Sequence, residues 1–172
     1  MMDRLKINLD NKHLKERTQY LPGELVEYLN EAQEYIEEQV RSVHDNYFMA
    51  ATTLSTVAST ELYDLPSDLV SIKKIEWVDT NAPDELIPIH FSARNYYLQT
   101  GTTSINNIVA GSVYYLYGAK FGILPIPTTT GVSNVKIWYL KRLAALDGTS
   151  ATTSEIPAEY HRLVVQYATV TA

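Results

Sequence analysis

The side chains best suited to chemistry in this chain are four histidines, one loop rich in oxygen donors, and a long row of glutamates. His13, His44, His90 and His161 lie far apart. None stands at the His-x-x-x-His or Glu-x-x-His spacing that brings two metal ligands to one helical face. His44 precedes Asp45, but adjacent residues diverge on a helix, so they form no base and orienter pair. Each histidine reads as a surface or boundary residue. Asp79, Asn81, Asp84 and Glu85 place four oxygen side chains in one loop, a donor set suited to Ca²⁺. The spacing departs from the EF-hand order and Pro83 interrupts it, so the segment reads as a turn. Glycosidase chemistry needs two carboxyl groups converging in a cleft, whereas the glutamates of this chain form a row. No Gly-x-Ser-x-Gly elbow or phosphate-binding glycine loop occurs. The residues assign no catalytic group, no metal site and no cofactor.

Composition narrows the classes further. The chain has no cysteine, which removes disulfides, thiol nucleophiles and Cys-type zinc sites together. Its net charge of −6 argues against tight nucleic-acid binding, which needs clustered Lys and Arg. Apolar content of 45% argues against disorder, and 172 residues suffice for a real core. No apolar run is long enough to span a membrane, and the first residues do not read as a signal peptide. Thirteen tyrosines are many; tyrosine suits half-buried strands, and it also suits protein interfaces.

The elements that would position these residues follow from periodicity. Residues 1–20 form an N-terminal arm with a basic bias from Arg4, Lys6, Lys12, Lys15 and Arg17. Leu25, Leu29, Ala32, Ile36, Val40 and Val43 recur with the period of an amphipathic helix over about residues 23–45. The other face carries Glu24, Glu27, Glu31, Glu34, Glu37 and Glu38, answered only by Arg41 at i+4 from Glu37. Strand-like runs follow at 47–58, at Glu61–Leu69 as a strand that passes into a turn, and at Val70–Trp77 with a one-residue slip at Lys73-Lys74 that predicts a bulge. Leu86–Ile89 reads as an edge strand because Pro88 cannot donate to a ladder. Residues 91–99 read as mildly helical and 100–107 as a loop. Val113–Tyr117, Phe121–Ile126 and Val135–Leu140 are three further strands, with Gly118 and Gly131 in hairpin links and antiparallel pairing expected. Ser154 and Pro157 then open a closing helix with Tyr160, Leu163, Val164, Tyr167, Ala168 and Thr171 on one face. That pattern is still running at Ala172, so a longer protein is expected. The fold class is α+β: a helical bundle of residues 21–46 and 155–172, with an inserted antiparallel β-sandwich or barrel-like domain over 47–154.

The order of these pieces resembles the head-to-tail adaptor (connector, or ring) proteins of tailed bacteriophages, over about residues 24–172. The resemblance rests on Glu24-Leu-Val-Glu-Tyr-Leu-Asn-Glu-Ala-Gln for the first helix and Tyr63-Asp-Leu-Pro-Ser-Asp-Leu for a strand and turn. It continues through Tyr114-Tyr-Leu-Tyr-Gly with Leu124-Pro-Ile-Pro, and Ile137-Trp-Tyr-Leu before Ile156-Pro-Ala-Glu-Tyr-His. It implies a structural virion protein, assembled in the host cytoplasm and without enzymatic activity. Such a protein forms a ring, usually twelvefold, beneath the portal, where it extends the DNA channel and docks the tail or nozzle protein. Partners would be further copies of itself, the portal, the tail, and double-stranded DNA that passes without sequence-specific binding. On this reading Glu27, Glu31, Glu34 and Glu38 are a candidate channel or subunit-interface face. Tyr160 and Val164 mark the closing helix as a candidate assembly interface. The alternatives are another virion ring protein (head-closure, tail-terminator or tail-tube) and a β-sandwich module that binds a ligand or carbohydrate.

Overall fold

The computed structural model describes residues 22–78, 84–99, 112–149 and 154–171. The basic arm with His13, most of the Asp79–Asp84 loop including Asn81, and the 100–107 loop lie outside the described residues. Among those described, the helices are α1 (Pro22–Val43), α2 (Arg94–Gln99) and α3 (His161–Thr171). The chain divides into a helical unit, made of the segments up to Phe48 and from Arg142 onward, and a β unit from Met49 to Lys141.

In the helical unit, Leu25, Leu29, Ala32 and Ile36 of α1 form the buried stripe their spacing demands. They meet Val164, Val165 and Ala168 of α3, and Phe48, Leu143 and Ile156 complete the core. Each buried leucine or isoleucine contributes about 1.5–3 kcal/mol. The return segment before α3 has little regular structure, so its backbone needs side-chain partners. Asn30 supplies both: its Nδ2 donates to the Leu146 carbonyl (3.0 Å) and its Oδ1 accepts from the Leu146 N–H (2.7 Å). Gln33, itself buried, donates to the Ala144 carbonyl (2.9 Å) and accepts from the Ser154 hydroxyl (2.7 Å). Ser154 is thus tied to α1 and does not cap α3, which begins after a 3-10 turn at Ala158–Tyr160. Glu37 also departs from expectation: it leaves the solvated row and is buried, paired to Arg41 one turn on. Val43, expected in the apolar stripe, is exposed.

The β unit holds two four-stranded sheets. The first runs β1 (Met49–Leu54), β8 (Val135–Lys141), β3 (Leu69–Trp77), β4 (Asp84–Glu85); the second runs β2 (Leu62–Asp64), β7 (Lys120–Leu124), β6 (Val113–Tyr117), β5 (Ile87–Pro88). Both are open, so the barrel-like expectation is corrected. Ile75, Val135, Ile137 and Tyr139 of the first sheet share one apolar cluster with Tyr63, Tyr114, Phe121 and Ile123 of the second. The expected slip is present between Ile72 and Lys74, and a second lies between Leu69 and Ser71. These shifts bring Leu69, Ile72 and Ile75 to one face and leave Val70 exposed. β6 and β7 form the expected hairpin, turning at Gly118 with φ of 60°. β8 corrects the expectation of a continuing meander: it leaves β7 and enters the other sheet between β1 and β3. Gly131 accordingly makes no hairpin turn. β5 pairs with β6 in parallel, against the antiparallel expectation. A parallel neighbour requires a crossover, and α2 lies in that connection.

Candidate functional site

The helical unit offers two surfaces. Glu27, Glu31, Glu34 and Glu38 step by four, three and four residues along α1 and are all exposed. Among the described residues no Lys or Arg pairs with any of the four. Tyr35 flanks this stripe, partly exposed, with its ring stacked on Tyr167 at 4.2 Å between centroids. Such a row of like charges spaced at i+3 and i+4 is destabilising to an isolated helix by a few tenths of a kcal/mol per pair. The second surface is a cleft of about 700 Å³ at the end of α1, lined by Ile36, Val40, Val43, Tyr47, Tyr160 and Leu163 among others. Val43, Tyr47, Tyr160 and Leu163 expose large apolar area there, a concentration that marks a contact surface.

Of the residues expected to mediate assembly, Tyr160 lines this cleft and is exposed, whereas Val164 has no exposed surface. Val164 is spent on the core of its own unit, and its neighbour Leu163 faces outward in its place. Adjacent apolar residues on a helix sit 100° apart, so composition did not decide which one faces the core.

Among the described residues of the β unit, two polar networks join three or more side chains. In the first, Arg94 of α2 grips Glu61 with both ends of its guanidinium, Nε to Oε1 at 2.6 Å and Nη2 to Oε2 at 2.5 Å. The buried Tyr115 hydroxyl donates to Glu61 Oε1 (2.6 Å) and accepts from Arg94 Nε (3.1 Å). Burial pushes the Glu61 carboxyl up, but the bonds from Arg94 and Tyr115 outweigh it and hold the group below the usual carboxylate range. The network ties α2 to the outer side of the second sheet, where Tyr97 and Leu98 cover Val113, Tyr115 and Leu124. Arg94 Nη1 extends it to Asn95 Oδ1 (3.4 Å), and the network fastens α2 to the sheet.

The second network lies on the outer face of the first sheet. Register places Ala51, Trp138 and Lys74 in one cross-strand row, and Thr53, Lys136, Glu76 and Glu85 in the next. Trp138 Nε1 donates to Glu76 Oε1 (2.8 Å), Lys74 pairs with Glu76 Oε2 (2.6 Å), and Lys136 Nζ stands 3.9 Å over the indole ring. The bonds from Lys74 and Trp138 hold the Glu76 carboxyl low despite its burial. Beside the indole is a groove of about 260 Å³ lined by Met49, Lys73, Lys74, Glu76 and Trp138. Sequence reading missed this cluster. Its only signal was the alternation of Lys136 and Trp138 out of phase with Val135, Ile137 and Tyr139.

The histidines have local duties. His90 Nδ1 accepts from the Ser92 N–H (3.3 Å) and caps the 3-10 turn Phe91–Ala93; His161 Nε2 bonds the Ile156 carbonyl (2.8 Å); His44 lines the helical cleft. Asp84 and Glu85 form the edge strand β4. Among the described residues no three His, Asp or Glu converge as metal ligands, and no helix is long and apolar enough to cross a membrane.

A family model described as SU10 adaptor protein matches residues 1–172, the whole chain. No curated protein matches it.

Proposed function

The chain belongs to the SU10 adaptor family of phage head-to-tail adaptors, and we propose that it works as a ring beneath the portal, extending the DNA channel and giving the tail a docking surface. The observation that carries this reading is the family match over the full length; it makes the chain a structural adaptor of the virion, of a family not known for enzymes. The exposed surfaces support it. An apolar cleft with Tyr160 and Leu163 at its rim and an uncompensated glutamate stripe are both costly on a lone chain and useful between subunits. A closed ring needs a heterologous interface, in which two different patches of one subunit meet. The ring of this proposal has twelve copies, and double-stranded DNA passes through it without base-specific contacts. A net charge of −6 suits such a path, since like charge discourages phosphates from sticking within about 8–10 Å.

The test is the mass of the purified chain alone and mixed with its cognate portal, by native mass spectrometry. A monomer alone that joins the portal in a fixed multiple, twelve copies per portal ring, is the expected result. A chain that ignores the portal overturns the proposal.

A further inference from the structure

We propose that the groove beside Trp138 on the outer face of the first sheet is the docking surface for helix α1 of a second copy of this chain, with Glu31, Glu34 and Glu38 meeting Lys73 and Lys74, and Tyr35 meeting Trp138 and Met49. The proposal rests on the ring reading above and deepens it by naming the two patches that meet.

Charge is the first argument. α1 presents four exposed carboxylates that no described cation answers. The groove presents Lys73, exposed on the bulge and free of any ion pair among the described residues, and Lys74, whose one partner Glu76 is shared with Trp138. Glu76 and Glu85 lie in the neighbouring row with Lys136, so the groove's end at Met49, Lys73 and Lys74 is its positive side. Complementary charge of this kind steers encounter and fixes register, and it relieves the repulsion within the glutamate row.

Shape and chemistry agree. Glu31, Tyr35 and Glu38 are neighbours at four and three residues on α1, so an aromatic ring sits between two carboxylates. The groove offers the matching side chains, a thioether on β1 and an indole on β8 beside the two lysines of β3. Trp138 is held in place before binding by Glu76 below and Lys136 above, so less side-chain freedom is lost on contact. Buried aromatic anchors surrounded by charged pairs are the usual seat of interface energy. The two patches differ from one another and belong to different units of the chain, which gives the heterologous, head-to-tail contact a ring requires.

The chain has no cysteine, so an introduced pair reports cleanly. The double variant Glu31→Cys with Lys74→Cys, in the full chain assembled on its portal and mildly oxidised, is expected to give a ladder of covalent oligomers on a denaturing gel. Each single variant stays monomeric. A ring of normal mass with no ladder, or with only an intrachain bond, overturns this pairing and leaves the ring reading intact. Failure of the unsubstituted chain to join the portal overturns both. A second measurement reads the charges: Glu31→Lys with Glu34→Lys should weaken ring formation at least tenfold at low salt, and adding Lys73→Glu with Lys74→Glu should restore it. Loss without restoration counts against the pairing.

Discussion

One added carbon at Gly122 should loosen the β unit more than any surface change. Gly122 lies in register between Leu62 and Tyr115. A Cβ built there falls onto the Tyr115 ring, against Cζ, Cε1 and Oη. The ring cannot step aside cheaply, because Tyr115 is only 2% exposed and its hydroxyl is bound to Glu61 and Arg94. Overpacking of this kind costs about 1–3 kcal/mol. Slackening a hydrogen bond to a charged carboxylate forfeits only part of the about 1.5–3 kcal/mol that such a bond is worth, so Gly122→Ala should cost about 3 kcal/mol in all. With a urea slope of about 2 kcal/mol/M, the midpoint falls by about 1.5 M. The chain's two tryptophans, Trp77 and Trp138, both belong to the β unit, so tryptophan emission follows that unit. Gly118→Ala is the control: nothing lies within 4 Å of its Cβ, and its φ of 60° leaves only a backbone cost of about 1–2 kcal/mol. The cause is separable as well. In a Tyr115→Leu background the clash partner is gone, so the cost of Gly122→Ala should shrink by 1 kcal/mol or more on the order of a direct coupling. A midpoint unchanged by Gly122→Ala, or strictly additive costs in the double variant, would refute the reasoning.

Three further outcomes are expected. Glu61 has its folded-state pKa below its ordinary 4.5, so its stabilising effect is complete above that value and is lost as pH falls through the depressed one; the stability gap between the native chain and Glu61→Gln, followed by urea unfolding from about pH 6 to about pH 3, should narrow toward acid. Asn30→Ala removes the acceptor 2.7 Å from the Leu146 N–H, and hydrogen exchange at that amide should quicken about tenfold, the equivalent of roughly 1.4 kcal/mol, while β-unit amides keep their rates. Leu163→Asp, at the exposed rim of the helical cleft, should leave thermal stability within about 0.5 kcal/mol and reduce capture by the portal, as read from native mass spectra.

Much of the frame was legible because its signals are local. The spacing of Leu25, Leu29, Ala32 and Ile36 needs only the helical period, and the slip at Lys73-Lys74 needs only the two-residue period of a strand. Gly118 announced its turn by the φ that turn requires. What stayed hidden depends on partners distant in sequence. Alternation in Val135–Lys141 shows which face is apolar, yet is silent on which strands will flank it, and β8 went to β1 and β3. The two-residue strand β5 is too short to state its direction. Glu37 reads like the glutamates around it, and only the depth of its turn in the helical unit makes it a buried partner for Arg41. The candidate surfaces divide the same way. The glutamate stripe follows from spacing alone, whereas the Trp138 groove exists only once Lys74 and Glu76 are set beside Trp138 and Lys136 by sheet register.

The strands at which the chain leaves and rejoins the helical unit are neighbours. β1 begins at Met49, opposite Leu140 near the end of β8, and the six-residue ladder between them clasps both ends of the β unit together. Paired strands lie about 5 Å apart, so to the helical unit the long excursion from Met49 to Lys141 has the footprint of a short hairpin. A lineage can therefore lengthen, trim or replace that excursion as a cassette while Leu25, Leu29, Val164 and Ala168 go on meeting one another. Only the clasp must be inherited with it.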